Sequence, residues 1–331
     1  MQGIMKLLLK YQPRSFAKLC HWTETTELLY NISQNGNPPH LVIHGTNGSG
    51  RYTCCMLFLK EIYGSVVLEL GQEKYEIDEE HEIVLKVSPF HVEFNPSQYG
   101  LRDRITLQFI IDKMKVGSQQ KTLIIHEADK LTKEAQFAVR RAMETGNWRY
   151  IFITENISSM MKPLRSRCLD IRIELPTYDE VDRLITNICQ QEHTHITQKD
   201  KEMILNSNNG NLRTTLITLF VYIQTKHLFK PTWKVSCELI VKTIVVTPNI
   251  EVIPKLIRPK LCEFIESGLS PSLILKEIFT LCMNSNIDQL YKLGVVEIIH
   301  KFDKSLKQGQ NPWIHVENAI TALMTLFSAH K

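Results

Sequence analysis

The stretch that most constrains this chain is a short apolar run that stops in glycine and restarts as a helix. Leu41-Val42-Ile43-His44 is followed by Gly45-Thr46-Asn47-Gly48-Ser49-Gly50-Arg51-Tyr52-Thr53, and Met56, Leu59 and Ile62 then recur at helical spacing. A glycine-rich loop between a strand and a helix is the context in which the pattern GxxxxGK[ST] has physical meaning. Its backbone amides face inward, and the helix N-terminus adds partial positive charge, so the loop is suited to phosphate oxygens. A chain built around it is expected to be α/β, with the loop at the end of a parallel strand.

Two loop positions depart from that pattern. Arg51 replaces the lysine, and a planar guanidinium contacts phosphate differently from a compact ammonium. Tyr52 stands where a magnesium-binding hydroxyl is needed. Thr53 is one residue late, which on a helix is a rotation of about 100°. The run Thr122-Leu123-Ile124-Ile125 should end in an aspartate that holds the metal, but His126 stands there. Imidazole is a poor ligand for a hard, oxygen-seeking cation. Glu127, in the place of a water-activating carboxylate, is retained. The expectation is weak or metal-poor nucleotide binding with negligible hydrolysis at this chain's own site.

Further apolar runs, Thr122 to His126 and Tyr150 to Thr154, alternate with helical patterns such as Ala135, Ala138, Val139, Ala142 and Met143. Short continuous strands between helices imply a parallel sheet covered on both faces. Glu69 to Glu82 holds seven acids and one lysine, and the acidic stretch around 69–86 reads as a protruding hairpin or loop. After Pro176 the pattern becomes helical. Thr177 and Glu180 have capping-box spacing, and Val181, Leu184, Ile185 and Ile188 form an apolar stripe. Ser270-Pro271 opens another helix, and Val316, Ile320, Leu323 and Phe327 line the last one. The expected domains are a nucleotide-binding core over 1–175, a helical lid over 176–228 and a helical oligomerisation domain over 229–331.

Length and composition agree with this division: 331 residues suit two or three domains, and 43% hydrophobic with 22% charged residues is ordinary for a water-soluble fold. No run is long and apolar enough for a membrane span or a secretory leader. Eight cysteines without a CxxC pair argue against a disulfide framework or a zinc site. A soluble intracellular protein is expected. Its net charge of +4 is matched by the excess between Lys130 and Glu174, where nine Lys/Arg meet five Asp/Glu. That local basicity suits a phosphate-rich partner.

Four boxes then appear in order: Lys10-Tyr11-Gln12-Pro13, His126-Glu127-Ala128-Asp129, Leu164-Arg165-Ser166-Arg167-Cys168 and Gly210-Asn211-Leu212-Arg213. Together they resemble the motifs of small subunits of eukaryotic-type replication factor C, the sliding-clamp loader. Within that family the chain is most similar to the third small-subunit type, whose ATP site is degenerate, or to a viral version of it. The resemblance implies an AAA+ RecA-like core, a helical lid and an all-helical collar. It implies that Arg167 is an arginine finger reaching a neighbour's ATP site, that Asn156 and Arg213 are sensors, and that Tyr11 and Pro13 join the loop residues Gly45 to Thr53 around ATP or ADP. It also implies that Arg102, Arg104, Arg140 and Arg141 track DNA phosphates. The implied partners are the other subunits of a hetero-pentamer, a ring-shaped clamp and primer-template DNA, with no membrane. The implied location is the nucleus, or a site of viral replication. Two alternatives stay open at this stage: a working ATPase using Arg51 and Glu127, and a checkpoint- or cohesion-type loader built on the same small subunits.

Overall fold

A computed structural model of the chain describes residues 2–20, 23–35, 38–78, 81–114, 121–146, 148–207, 210–228, 230–246, 253–308 and 311–328. It contains two compact units, Met1–Leu228 and Phe229–Lys331.

The first unit opens with helices α1 (Gln2–Tyr11) and α2 (Glu24–Gln34) and continues through β1 (Leu41–His44) and α3 (Arg51–Tyr63). An antiparallel hairpin of β2 (Gly71–Asp78) and β3 (His81–Val87) follows. Next come β4 (His91–Phe94), α4 (Asp103–Met114), β5 (Thr122–Ile125), α5 (Lys133–Thr145), β6 (Arg149–Thr154), α6 (Lys162–Arg165) and β7 (Leu169–Arg172). These strands form one seven-stranded sheet in the order β2-β3-β4-β5-β6-β1-β7. From β4 to β7 every pairing is parallel. The sheet is therefore mixed, with the acidic segment forming an antiparallel hairpin at one edge; residues 79–80 lie outside the described residues.

Strand alternation gives the sheet two cores. Val42, Leu123, Ile125 and Phe152 pack with Leu107 and Val139 on one face. Leu41, Ile43, Ile124, Ile151 and Ile171 pack with Leu57 and Phe58 of α3 on the other. This double burial is why the central strands read as unbroken apolar runs.

The lid of the first unit comprises α7 (Tyr178–Gln191), α8 (Gln198–Ser207) and α9 (Leu212–Thr225). The expected capping box starts α7: Glu180 N donates to Thr177 Oγ1 at 3.4 Å, and Thr177 N donates to Glu180 Oε2 at 2.7 Å. Val181, Ile185 and Ile188 bury against Leu219 and Phe220.

The second unit holds α10 (Thr232–Val246), α11 (Arg258–Glu266), α12 (Pro271–Asn284), α13 (Gln289–Gln308) and α14 (Pro312–Ser328). Pro271 occupies the first turn of α12, although Ser270 makes no side-chain cap bond. Val316, Ile320, Leu323 and Phe327 lie in one helical core. Among the described residues, no helix is long and apolar enough to cross a membrane, and all eight cysteines are free thiols.

Candidate functional site

The phosphate loop joins β1 to α3 and bends at glycines for steric reasons. Gly45 has φ +153°, and a Cβ there would lie 2.3 Å from the Ile173 carbonyl oxygen. Gly48, at φ +81°, carries the lid: Leu212 N donates to its carbonyl oxygen at 3.2 Å. Asn211 Oδ1 caps α9 by accepting from Thr214 N at 3.2 Å. The core and the lid helix α9 therefore meet at the loop.

A cleft of about 690 Å³ opens there, lined by Asn47 to Cys54 of the loop and by Leu184, Leu212 and Arg213 of the lid. Tyr11 and Pro13 close it from the N-terminal segment. Tyr11 is fixed by its phenol, which donates to Glu192 Oε1 at 2.6 Å, and by stacking on Phe220 with centroids 5.8 Å apart. Lys18, Arg51, Lys130 and Arg213 supply cations to the lining. Ser49 is buried in the loop, and its hydroxyl has no hydrogen-bond partner. A capless helix N-terminus, an unpartnered hydroxyl and this set of cations fit a nucleotide's phosphates.

A magnesium ion does not fit. The phenol of Tyr52 donates to Glu93 Oε1 at 2.7 Å, and His126 Nε2 lies 3.2 Å from Glu93 Oε2. Both positions present donors to a buried carboxylate instead of lone pairs to a cation. Burial raises the Glu93 pKa, but the hydrogen bonds from His126 and Tyr52, with His91 facing the same carboxylate, outweigh burial and hold it well below the ordinary carboxylate range. Tyr52 is pushed far above the usual phenol range, first by burial and then by the charge of Glu93.

Arg51 lines the cleft and pairs with Glu155 Oε1 at 3.3 Å. Glu127 also lines it, in a left-handed conformation at φ +43°, and accepts a hydrogen bond from Ser97 Oγ. The structure does not bring Asn156 into the lining: its carboxamide oxygen accepts from Ser158 N at 3.0 Å, closing the turn after β6. Gly45 and Thr46, at the start of the loop, are not among the residues that line the cleft. Arg167 lies outside the cleft on a half-exposed turn, paired with Glu144 Oε1 at 2.6 Å and donating to the Pro163 carbonyl at 2.8 Å.

The basic residues gather separately. Arg104, Arg140 and Arg141 line a groove of about 590 Å³ between α4 and α5, and Arg102 falls outside it. Asp103 joins the two helices by accepting from Thr132 N at 2.7 Å and Thr132 Oγ1 at 2.9 Å. Arg140 packs its guanidinium 5.5 Å from the Phe137 ring centroid, and its Nε is buried without a partner.

Sequence reasoning missed Glu93, Ser97 and Glu155. The one available signal was a glutamate between the apolar residues Val92 and Phe94, because a charge buried there has to be paired.

No protein-family model matches the sequence. The chain is similar to Replication factor C subunit 5 of Saccharomyces cerevisiae, at 29% identity over 95% of this chain and 97% of that protein. It is 27% identical to Replication factor C subunit 3 of Homo sapiens over 96% and 95% of the two chains. The corresponding subunit 3 of Arabidopsis thaliana matches at 27% over 96% of each. Among solved structures, a single-residue variant of Thermotoga maritima RuvB aligns with TM-score 0.50 at 14% identity, covering 76% of this chain and 91% of that one. A second single-residue variant of the same protein aligns with TM-score 0.51 at 15% identity, covering 72% and 80%. These structural likenesses carry the AAA+ fold.

Proposed function

Taking as premise that this chain belongs to the replication factor C small-subunit family, we propose that it is the non-hydrolysing kind of clamp-loader subunit. It helps place a ring-shaped clamp on primer-template DNA during replication and repair, working within a hetero-pentamer in the nucleus or at a site of viral replication. It holds ATP or ADP without an ordered magnesium ion and lends Arg167 to the neighbouring subunit's ATP. The observation that carries this reading is a phosphate loop whose two metal positions, Tyr52 and His126, both face Glu93. Such a cleft keeps the means to bind phosphate, while at positions 52 and 126 it offers proton donors in place of oxygen ligands for the metal needed for transfer.

The placement of Arg167 supports the second half of the reading. It is an exposed cation outside its own cleft, and its partner Glu144 is exposed as well, so the pair is readily exchanged for a phosphate. A guanidinium stays charged and offers a planar fork to a γ-phosphate. Arg104, Arg140 and Arg141 on the α4–α5 groove support contacts with DNA phosphates, which give affinity without sequence reading.

The test is turnover in two settings. The isolated chain at saturating magnesium is expected to show no sustained ATP hydrolysis; turnover abolished by Glu127→Gln would establish the working-ATPase reading instead. In the reconstituted assembly, Arg167→Ala is expected to reduce turnover by about 10³ or more. Unchanged turnover there removes Arg167 from the role of a finger.

A further inference from the structure

The residue at the centre of the altered site is one that the loop pattern does not contain. Glu93 lies on β4, opposite Ile124 of β5 in the parallel register, and is buried. Tyr52 reaches it from the first turn of α3, and His126 from the end of β5. The Tyr52 and His126 rings sit 5.4 Å apart at 49°, and each directs a polar group at a different oxygen of the same carboxylate. Two further cationic or ionisable side chains face Glu93 from β3 and β4: Lys86 Nζ at 4.0 Å and His91 Nε2 at 3.7 Å. The His91 ring is held by Ser88 Oγ, 2.8 Å from Nδ1.

The geometry stitches together the elements that a bound cation would bridge, namely the loop helix and the end of β5, with a buried negative charge between them. A carboxylate in this position needs donors or a cation, since leaving it bare is costly. With Tyr52 and His126 on its two oxygens, it is satisfied without a metal. A cation entering the same space would have to displace both donors, and neither Tyr52 nor His126 supplies a carboxylate in exchange.

We propose that the Tyr52–Glu93–His126 cluster is an internal replacement for the metal ion, so that nucleotide phosphates bind this cleft in divalent-cation-free form, balanced by protein cations instead. This rests on reading the cleft as a nucleotide site. The cations are those of the lining, Arg51, Lys130, Lys18 and Arg213. The cluster also makes the two sequence departures interdependent. Restoring an aspartate at 126 alone sets a second carboxylate against Glu93, where the existing donors were matched to one.

Fluorescent nucleoside diphosphate is titrated into the full chain in saturating magnesium and again in EDTA. The two affinities are expected to agree within about twofold; a tightening by magnesium of about tenfold or more overturns the proposal. A second arm needs no nucleotide. In EDTA, His126→Asp is expected to lower Tm by about 10 °C, as an uncompensated buried charge does. Magnesium is expected to recover part of that loss, and H126D/E93Q to recover most of it without magnesium. A His126→Asp chain as stable as the parent, or a loss that Glu93→Gln leaves in place, shows that the cluster does not act through charge and overturns the proposal. The compound variant Y52T/H126D is expected to make nucleotide affinity magnesium-dependent, and failure to do so counts against the replacement as well. None of these outcomes depends on Arg167. An assembly indifferent to Arg167→Ala refutes the trans role and leaves the cluster standing.

Discussion

Gly48→Ala is the substitution that best tests how lid and loop are joined. The added Cβ would lie 1.9 Å from Asn211 Oδ1, 2.3 Å from its Cγ and 2.7 Å from its Nδ2, so the carboxamide must leave. Three costs follow. Alanine at φ +81° is disfavoured by about 1–2 kcal/mol relative to glycine. A displaced Asn211 forfeits its cap on Thr214 N, about 1 kcal/mol. The lid moves with it, and the Leu212 N–Gly48 O hydrogen bond is lost for about another 1 kcal/mol. Together the loss is about 3–4 kcal/mol, or about 10 °C in Tm for a unit of this size.

A double-mutant cycle separates collision from strain. Asn211→Ala alone should cost about 1 kcal/mol, the value of the cap. In G48A/N211A the collision is gone, so the pair should cost about 2–3 kcal/mol, short of the sum of the single changes by about 2 kcal/mol. Urea unfolding of the full chain followed by far-ultraviolet circular dichroism measures each corner. Strict additivity would refute the direct contact between lid and loop, and a Gly48→Ala chain as stable as its parent would refute the close approach itself.

Three other outcomes are expected. Arg104→Ala and Arg141→Ala should each lower the slope of log Kd for duplex DNA against log salt by about one, with little dependence on DNA sequence; unchanged slopes would detach the α4–α5 groove from phosphate binding. Ellman's reagent at mildly alkaline pH should modify exposed Cys262 first and both buried Cys54 and half-buried Cys168 slowly, because burial pushes these two thiols up to about 12; rapid modification of Cys54 or Cys168 would contradict that packing. Since Glu93 is held below the ordinary carboxylate range in the folded chain, the stability it contributes is present above that range and drains away as pH falls through and below it. Glu93→Gln should therefore flatten the acid limb of the stability profile, and an identical limb in both chains would show that Glu93 does not carry it.

Much of the fold was legible because the physics behind it is local. Glycines at positive φ punctuate the loop, continuous apolar runs mark β1, β5 and β6, and Thr177 with Glu180 announces α7 within four residues. The strands β4 and β7 escape a reading of this kind. The first, His91–Phe94, carries two ionisable side chains, and the second, Leu169–Arg172, buries only Ile171 well, so neither shows an unbroken apolar run. The hairpin is expected as an appendage, yet Ile83 and Leu85 bury into the core beside Val92 and extend the sheet. Arg104, Arg140 and Arg141 share a groove that leaves Arg102 outside, and Asn156 is drawn aside by its own turn.

The site was half legible for a different reason. Position by position, Tyr52 and His126 look like two separate losses, each removing an oxygen ligand. In the fold they are one change, because a residue 41 positions from Tyr52 and 33 from His126 collects both. The sign of the hydrogen bonds decides the matter. A metal site needs groups that offer lone pairs to a cation, whereas this one has groups that offer protons to an anion. Replacing either residue alone leaves Glu93 with a donor missing or a rival carboxylate beside it, which is the source of the instability expected for His126→Asp. On the proposed reading, magnesium-free binding is thereby tied to folding stability through Glu93, which is buried on β4.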